Sequence, residues 1–233
     1  MTPSRRPADA PPSEVEAVLR ALRGHASAKV LSEMAPRYGL VVDKAFGVPM
    51  AKMQLVAKPL APDHDLAAAL WDTGWYEARM VACMIDDPAR VTPEQMDRWR
   101  ADFDNWGIVD TVCFKLFDRV PHAFAKIDEW AVLNDEFGRR AAFALLACVA
   151  LHGQGSDADC LQRLPLIEAA ATDSRNFVRK AVNWALRAIG ERKSPATRAA
   201  VMALAERLAG SADKTARWIG KDAMRQMIRR GGA

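Results

Sequence analysis

Trp106 and Asp110 stand four residues apart in "DNWGIVD", with Gly107 between them. On a helix that spacing is about one turn, so the indole and the carboxylate share a face. A protein core accepts the ring and rejects the charge. A face that carries both suits a cation: aromatic faces attract positive charge by about 0.5–2 kcal/mol, and a carboxylate steadies positive charge that develops in a transition state. Glycine inside a helix costs about 1 kcal/mol relative to alanine, so Gly107 reads either as a weak point within the helix or as the mark of a loosened first turn.

The elements that must hold this pair read as helices. "PSEVEAVLRALRGH" offers Ser13 as a cap, an early glutamate and apolar residues at 3–4 spacing. "DHDLAAALWDTG" starts on Asp63 or Asp65 and stops at Gly74, and "TPEQMDRWRADF" pairs Thr92 as cap with Pro93 at the first helical position. No alternating run bounded by hairpin turns stands out, so the fold class is all-α. "FGRRAAFALLACVA" (137–150) and "FVRKAVNWALRAIG" (177–190) superpose at an offset of 40, and "ARWIGKDAMRQMI" (216–228) follows at an offset of 38. "WYEARMVACMI" (75–85) has the same small-residue texture. A period near 40 predicts HEAT-like helix pairs stacked into a curved solenoid with a concave inner surface. The domain reading is a flexible extension over 1–13, capping helices over about 14–60 and repeats over about 60–233, all one repeat domain.

Composition narrows the classes. Half of the 233 residues are apolar, enough to bury a core. No apolar run approaches the roughly 20 residues of a membrane helix, and the opening "MTPSRRPADAPPSE" has no apolar h-region of a secretory signal. Cys83, Cys113, Cys148 and Cys160 form no C-x-x-C pair and read as buried reduced thiols of a cytoplasmic protein. His25, His64, His122 and His152 show no ligand spacing, so neither metal nor cofactor is expected. The net charge of +4 is uneven: from Arg175 onward there are 14 Lys and Arg against 4 Asp and Glu, a balance of +10 that leaves the preceding part at −6. A polyanionic partner, nucleic acid first, fits the basic end; a solvated basic face is the plainer account. The basic positions recur with the repeat: Arg139 and Arg140, then Arg179 and Lys180, then Arg217 with Lys221. A stripe of that period fits a DNA backbone; pairing with acids of the adjacent repeat is the alternative for any one arginine.

"RWRADFDNWGIVDTVC", "RRAAFALLACVA", "NFVRKAVNWALRAIG" and "KTARWIGKDAM" resemble, in that order, the DNA alkylation repair family, HEAT-repeat glycosylases that remove alkylated purines from DNA. The resemblance covers nearly the whole chain after the N-terminal extension. It implies that Trp106 and Asp110 are the catalytic pair, that Trp184 is a second tryptophan of the cleft, that Arg140 contacts DNA and that Tyr38 stands at the cleft. Arg139 doubles Arg140, and which of the two reaches phosphate stays open. Arg179, Lys180, Arg217 and Lys221 are the further DNA-backbone candidates.

Alkylation at N7 of guanine or N3 of adenine leaves the base positively charged and already a good leaving group. The barrier lies in the sugar, which becomes oxocarbenium-like as the bond breaks. Asp110 would stabilise that charge and orient a water, and the indoles of Trp106 and Trp184 would favour cationic lesions. No acid stands out to protonate a neutral purine, and no lysine stands out as a nucleophile, so hydrolysis without strand cleavage is the expected outcome. Core packing of Trp106 or Trp184, and pairing of Asp110 with Lys115 or Arg119, are the plainer readings of the same residues. Trp71, Trp75, Trp99 and Trp130 are assigned to packing. The expected partner is double-stranded DNA containing alkylated bases, bound by a monomer with no membrane or protein partner. A non-catalytic solenoid that binds DNA structure is the second reading, and a protein-binding scaffold, disfavoured by the basic stripe, is the third.

Overall fold

A computed structural model describes the chain from residue 12 to residue 231. Among the described residues every regular element is helical. The extension read over 1–13 lies, up to residue 11, outside the described residues. The chain packs as two compact units, the first ending at Leu116 and the second beginning at Phe117.

The first unit contains α1 (Pro12–Arg23), α2 (Ala28–Tyr38), α3 (Met50–Ala57), α4 (His64–Asp72), α5 (Tyr76–Ile85), α6 (Pro93–Ala101) and α7 (Trp106–Lys115). Ser13, expected as a cap, falls within the first turn of α1, because the helix already begins at Pro12. Asp63 does cap α4, accepting from the Leu66 N–H at 3.0 Å, and Gly74 follows the helix at φ 72°. Thr92 caps α6 in the same way, with Pro93 at the first helical position. Trp71 of α4 and Trp99 of α6 are fully buried and stack at 4.0 Å between ring centroids. The Trp71 indole N–H is satisfied by Asp102 at 2.7 Å.

A buried carboxylate fixes the segment between α2 and α3. Glu77 of α5 is enclosed completely and accepts from the backbone N–H groups of Phe46, Gly47 and Val48 at 2.7–3.1 Å. Three backbone donors replace the water that a buried carboxylate loses. The Phe46 ring then stacks on Trp75 at 4.0 Å. Trp75, like Trp71 and Trp99, thus serves packing.

The second unit begins with a 3-10 turn (Phe117–Arg119) and continues through α8 (Ala123–Trp130), α9 (Glu136–Leu151), α10 (Asp157–Leu161), α11 (Leu164–Ala170), α12 (Asn176–Gly190), α13 (Pro195–Ala209) and α14 (Lys214–Gly231). α8 packs on α9, α11 on α12 and α13 on α14, while α9, α12 and α14 pack in sequence as one layer. Those three are the helices that carry the period near 40. Every residue from Arg140 to Ala150 in α9 is buried, so the alanines let neighbours approach from all sides. Cys83, Cys113, Cys148 and Cys160 are buried and unbridged.

Polar contacts between repeats recur at the same period. Phe137 and Phe177, 40 residues apart, bring their rings to 5.4 Å. Asp173 accepts from Arg175 at 3.0 Å and from Arg139, one repeat earlier, at 3.1 Å. The hydrogen bonds from Arg175, joined by the charges of Arg175 and Arg139, hold the Asp173 carboxyl below the usual carboxylate range. A depressed folded-state value contributes stability above the unfolded value and loses it as pH falls through the folded one. Asp173→Asn is therefore expected to cost about 2 kcal/mol at pH 7, with the gap to wild type closing below about pH 4. Urea titrations across that range check it; a gap of constant size down to pH 3 would rule the ionic account out.

Candidate nucleic-acid interface

In the first unit the site is built at the start of α7. Asn105 caps the helix, its side-chain oxygen accepting from the Ile108 N–H at 3.0 Å. Trp106 is the first helical residue and is half-buried. Its indole N–H donates to the Tyr38 carbonyl at 2.9 Å, which ties the end of α2 to the start of α7. Tyr38 is 46% exposed and lies beneath the Arg37 guanidinium. Gly39, next in the chain, has φ 63° and closes α2 by donating to the Ala35 carbonyl. The structure thus brings Tyr38 and Trp106 together from 68 residues apart.

Of the two readings of Gly107 the structure has the glycine within the helix and not the loosened turn: α7 is regular from Trp106 onward, and the Thr111 hydroxyl donates back to the Gly107 carbonyl at 2.8 Å. Close packing explains the glycine. A Cβ there would meet Leu40 Cδ2 and Tyr76 Oη, each at 2.9 Å. Burial, helped by the charge of neighbouring Glu77, holds the Tyr76 hydroxyl well above its ordinary range, so it is a neutral phenol at any physiological pH.

Asp110 lies one turn beyond Trp106 and is half-buried. Ile108, Val109, Val112 and Cys113 take the buried side of α7. The opposite side therefore presents Trp106, Asp110 and Phe114 at intervals of one turn, with Phe114 exposed and Lys115 over its ring. Phe114 was not among the sequence candidates, although its spacing from Asp110 is the same as that of Trp106.

In the second unit the expected basic stripe divides. Arg140 is only 5% exposed and donates to the Phe177 carbonyl at 2.7 Å. Arg139 is engaged with Asp173 across the repeat boundary. Arg217 donates to the carbonyls of Ser211 and Ala212 at 2.7 and 3.2 Å. Arg179 donates to Asn176 at 3.2 Å and places its guanidinium 5.2 Å from the Trp218 ring centroid. Lys180 and Lys221 are exposed. Trp184, half-buried, follows Lys180 by one turn of α12, with half-buried Arg187 the next along that face. Trp130 is buried, completing the tryptophans assigned to packing. Among the described residues no group of three or more His, Cys, Asp or Glu side chains is placed to hold a metal ion.

The paired helices of the second unit, stacked with a period near 40, define a HEAT-like helical-repeat fold. The chain belongs to the DNA alkylation repair enzyme family, whose model matches residues 18–227. No curated protein matches the sequence. Among solved structures, the chain is similar to one from a family described as related to the HEAT-like repeat DNA glycosylases with affinity for branched DNA structures. That likeness has a TM-score of 0.74 at 19% identity and covers 91% of this chain and 95% of the other. At that identity the likeness carries the fold.

Proposed function

We propose that the protein is a monofunctional DNA glycosylase that hydrolyses the N-glycosidic bond of cationic 3-alkyladenine and 7-alkylguanine. The observation that carries this reading is the α7 face: Asp110, half-exposed, lies one turn from the half-exposed Trp106. A carboxylate so placed keeps contact with water, which a carboxylate sealed in hydrocarbon would not.

The reaction needs little from the protein in the way of bond-making. The C1′–N bond breaks, its electron pair stays with the base and neutralises it, and the sugar becomes oxocarbenium-like. Asp110 stabilises that charge and accepts a proton, directly or through solvent, as water adds to C1′. The products are the free base and an abasic sugar in an intact strand. Trp106 contributes an aromatic face for the cationic lesion beside Asp110, and Trp184 offers an aromatic face one turn from Lys180 on α12. Lys180 and Lys221 supply exposed charge for phosphate; Arg139, Arg140, Arg179 and Arg217 also hold carboxylate, amide or backbone oxygens, and their contribution to DNA includes positioning helices α9, α12 and α14.

The test is incubation with methylated duplex DNA and chromatographic detection of released bases. Free 7-methylguanine and 3-methyladenine are expected, with no strand cleavage before alkaline treatment. DNA binding without release would favour the second reading, a non-catalytic binder, for which the branched-DNA affinity ascribed to the structural neighbour speaks.

A further inference from the structure

We propose that Trp218 is a stacking platform for an unpaired nucleotide, so that the second unit accepts a single-stranded segment of DNA as well as duplex backbone. The proposal rests on the chain being a DNA-binding protein, and does not depend on base release. Its starting point is the repeat register. Positions 140, 180 and 218 are equivalent in the three superposed segments, and they hold arginine, lysine and tryptophan in turn. The basic stripe therefore ends on an indole.

The structure distinguishes these three positions. Arg140 is buried against the Phe177 carbonyl, Lys180 is exposed, and Trp218 is 38% exposed. A single exposed apolar side chain is ordinary on a protein surface. This one differs in its surroundings. The Arg179 guanidinium of α12 lies over its ring at 5.2 Å, and Lys214 and Lys221 precede and follow it by one turn of α14. Among the described residues, no carboxylate is within ion-pair reach of Arg179, Lys180, Lys214, Arg217 or Lys221. The nearby acids are otherwise engaged. Asp213 accepts from the Thr215 and Ala216 N–H groups at 2.9 Å. Asp222 accepts from Asn183 at 2.8 Å and faces Arg187 and Arg225.

An exposed indole ringed by unneutralised cations matches what a nucleotide offers: a π face and a phosphate. In a duplex the faces of the bases are covered by their neighbours, leaving base edges and phosphates but no face on which an indole can stack. An unpaired base exposes its face, and stacking on an aromatic side chain then adds to the phosphate contacts without regard to sequence. Arg179, already over the ring, would make the arrangement guanidinium, indole and base.

Fluorescence anisotropy with three labelled oligonucleotides tests this: a single strand, a blunt duplex of equal length and a duplex with a single-stranded overhang. Trp218→Ala is expected to weaken binding of the single strand and the overhang about tenfold and to leave the blunt duplex within about twofold. Trp218→Phe, which keeps a ring, is expected to retain most of the difference and guards against misfolding of the alanine variant, with thermal melting of both as a check. Lys221→Ala is expected to weaken all three, with a shallower salt dependence. Equal losses on all three DNAs with Trp218→Ala would reduce Trp218 to a duplex contact and overturn the proposal. No loss on any would overturn it too, pointing to a protein partner on this patch. Base release from methylated duplex is scored separately, so an inactive glycosylase with a selective Trp218 would sink the proposed function and leave this inference standing.

Discussion

Asp110→Asn is expected to lower release of 7-methylguanine and 3-methyladenine by at least about 10²-fold, the scale on which one preorganised electrostatic group contributes to a transition state, while DNA affinity stays equal or rises. The two halves of that expectation have one cause. Asparagine keeps the size of the side chain and much of its hydrogen bonding, and removes the charge that opposes the sugar's developing cation. The same charge repels phosphates, so its loss does not weaken binding. The half-exposed setting of Asp110 adds weight, because the substitution relieves no large burial penalty and the fold should tolerate it. Measured as single-turnover release with protein in excess, the rate isolates chemistry from product release. Full release by the variant would remove Asp110 from the mechanism. An equal fall in release and in affinity would make it a binding residue.

Local chemistry made much of the fold legible in the sequence. Asp63, Thr92 and Pro93 mark helix starts because a cap needs only the three residues that follow it. The 40-residue offset was readable because each repeat must present the same small face to its neighbour, and α9, α12 and α14 are the layer that results. The pair at 106 and 110 was readable because helical spacing alone sets a shared face. What sequence spacing does not carry is the identity of distant neighbours. Gly107 reads as a weak point in a helix until Leu40 and Tyr76, from two other segments, are seen to occupy the space a side chain would need. Arg139 and Arg140 read as one basic step of a stripe, yet Asp173 and the Phe177 carbonyl, each more than 30 residues on, take them into the repeat interface. The division of the chain between Leu116 and Phe117 has no composition signal, since both residues are large, apolar and fully buried.

Trp218 shows the same limit in the opposite sense. An indole in a helical segment is usually core, and Trp71, Trp99 and Trp130 follow that rule. The repeat alignment held the contrary hint, because the equivalent positions are Arg140 and Lys180. Of those two positions only Lys180 is exposed, since Arg140 is buried against the Phe177 carbonyl, so charge in the equivalent repeats marks 218 as unlike an ordinary core position without fixing its exposure.

Gly220→Ala is expected to destabilise the second unit by about 3 kcal/mol, above the middle of the range for overpacked interiors, and to lower Tm by about 10 °C. Helix propensity alone gives the opposite sign, since alanine is favoured over glycine by about 1 kcal/mol inside a helix. Geometry decides which effect wins. A Cβ on Gly220 would lie 2.3 Å from the Ala209 nitrogen and 2.4 Å from the Ala205 oxygen, with the Leu208 carbonyl carbon at 2.8 Å. All three are backbone atoms of α13 or its last turn, so no rotamer change relieves the contact and α14 must shift as a body. Gly220 stands between Trp218 and Lys221 on α14. A shift large enough to admit a methyl group also moves the indole away from Arg179 and displaces the Lys221 ammonium. Loss of stability and loss of single-strand selectivity are therefore expected together, read by thermal melting and by the overhang-to-blunt affinity ratio of the same protein. A variant that melts higher than wild type would show that α13 and α14 are not in the close backbone contact from which both effects derive.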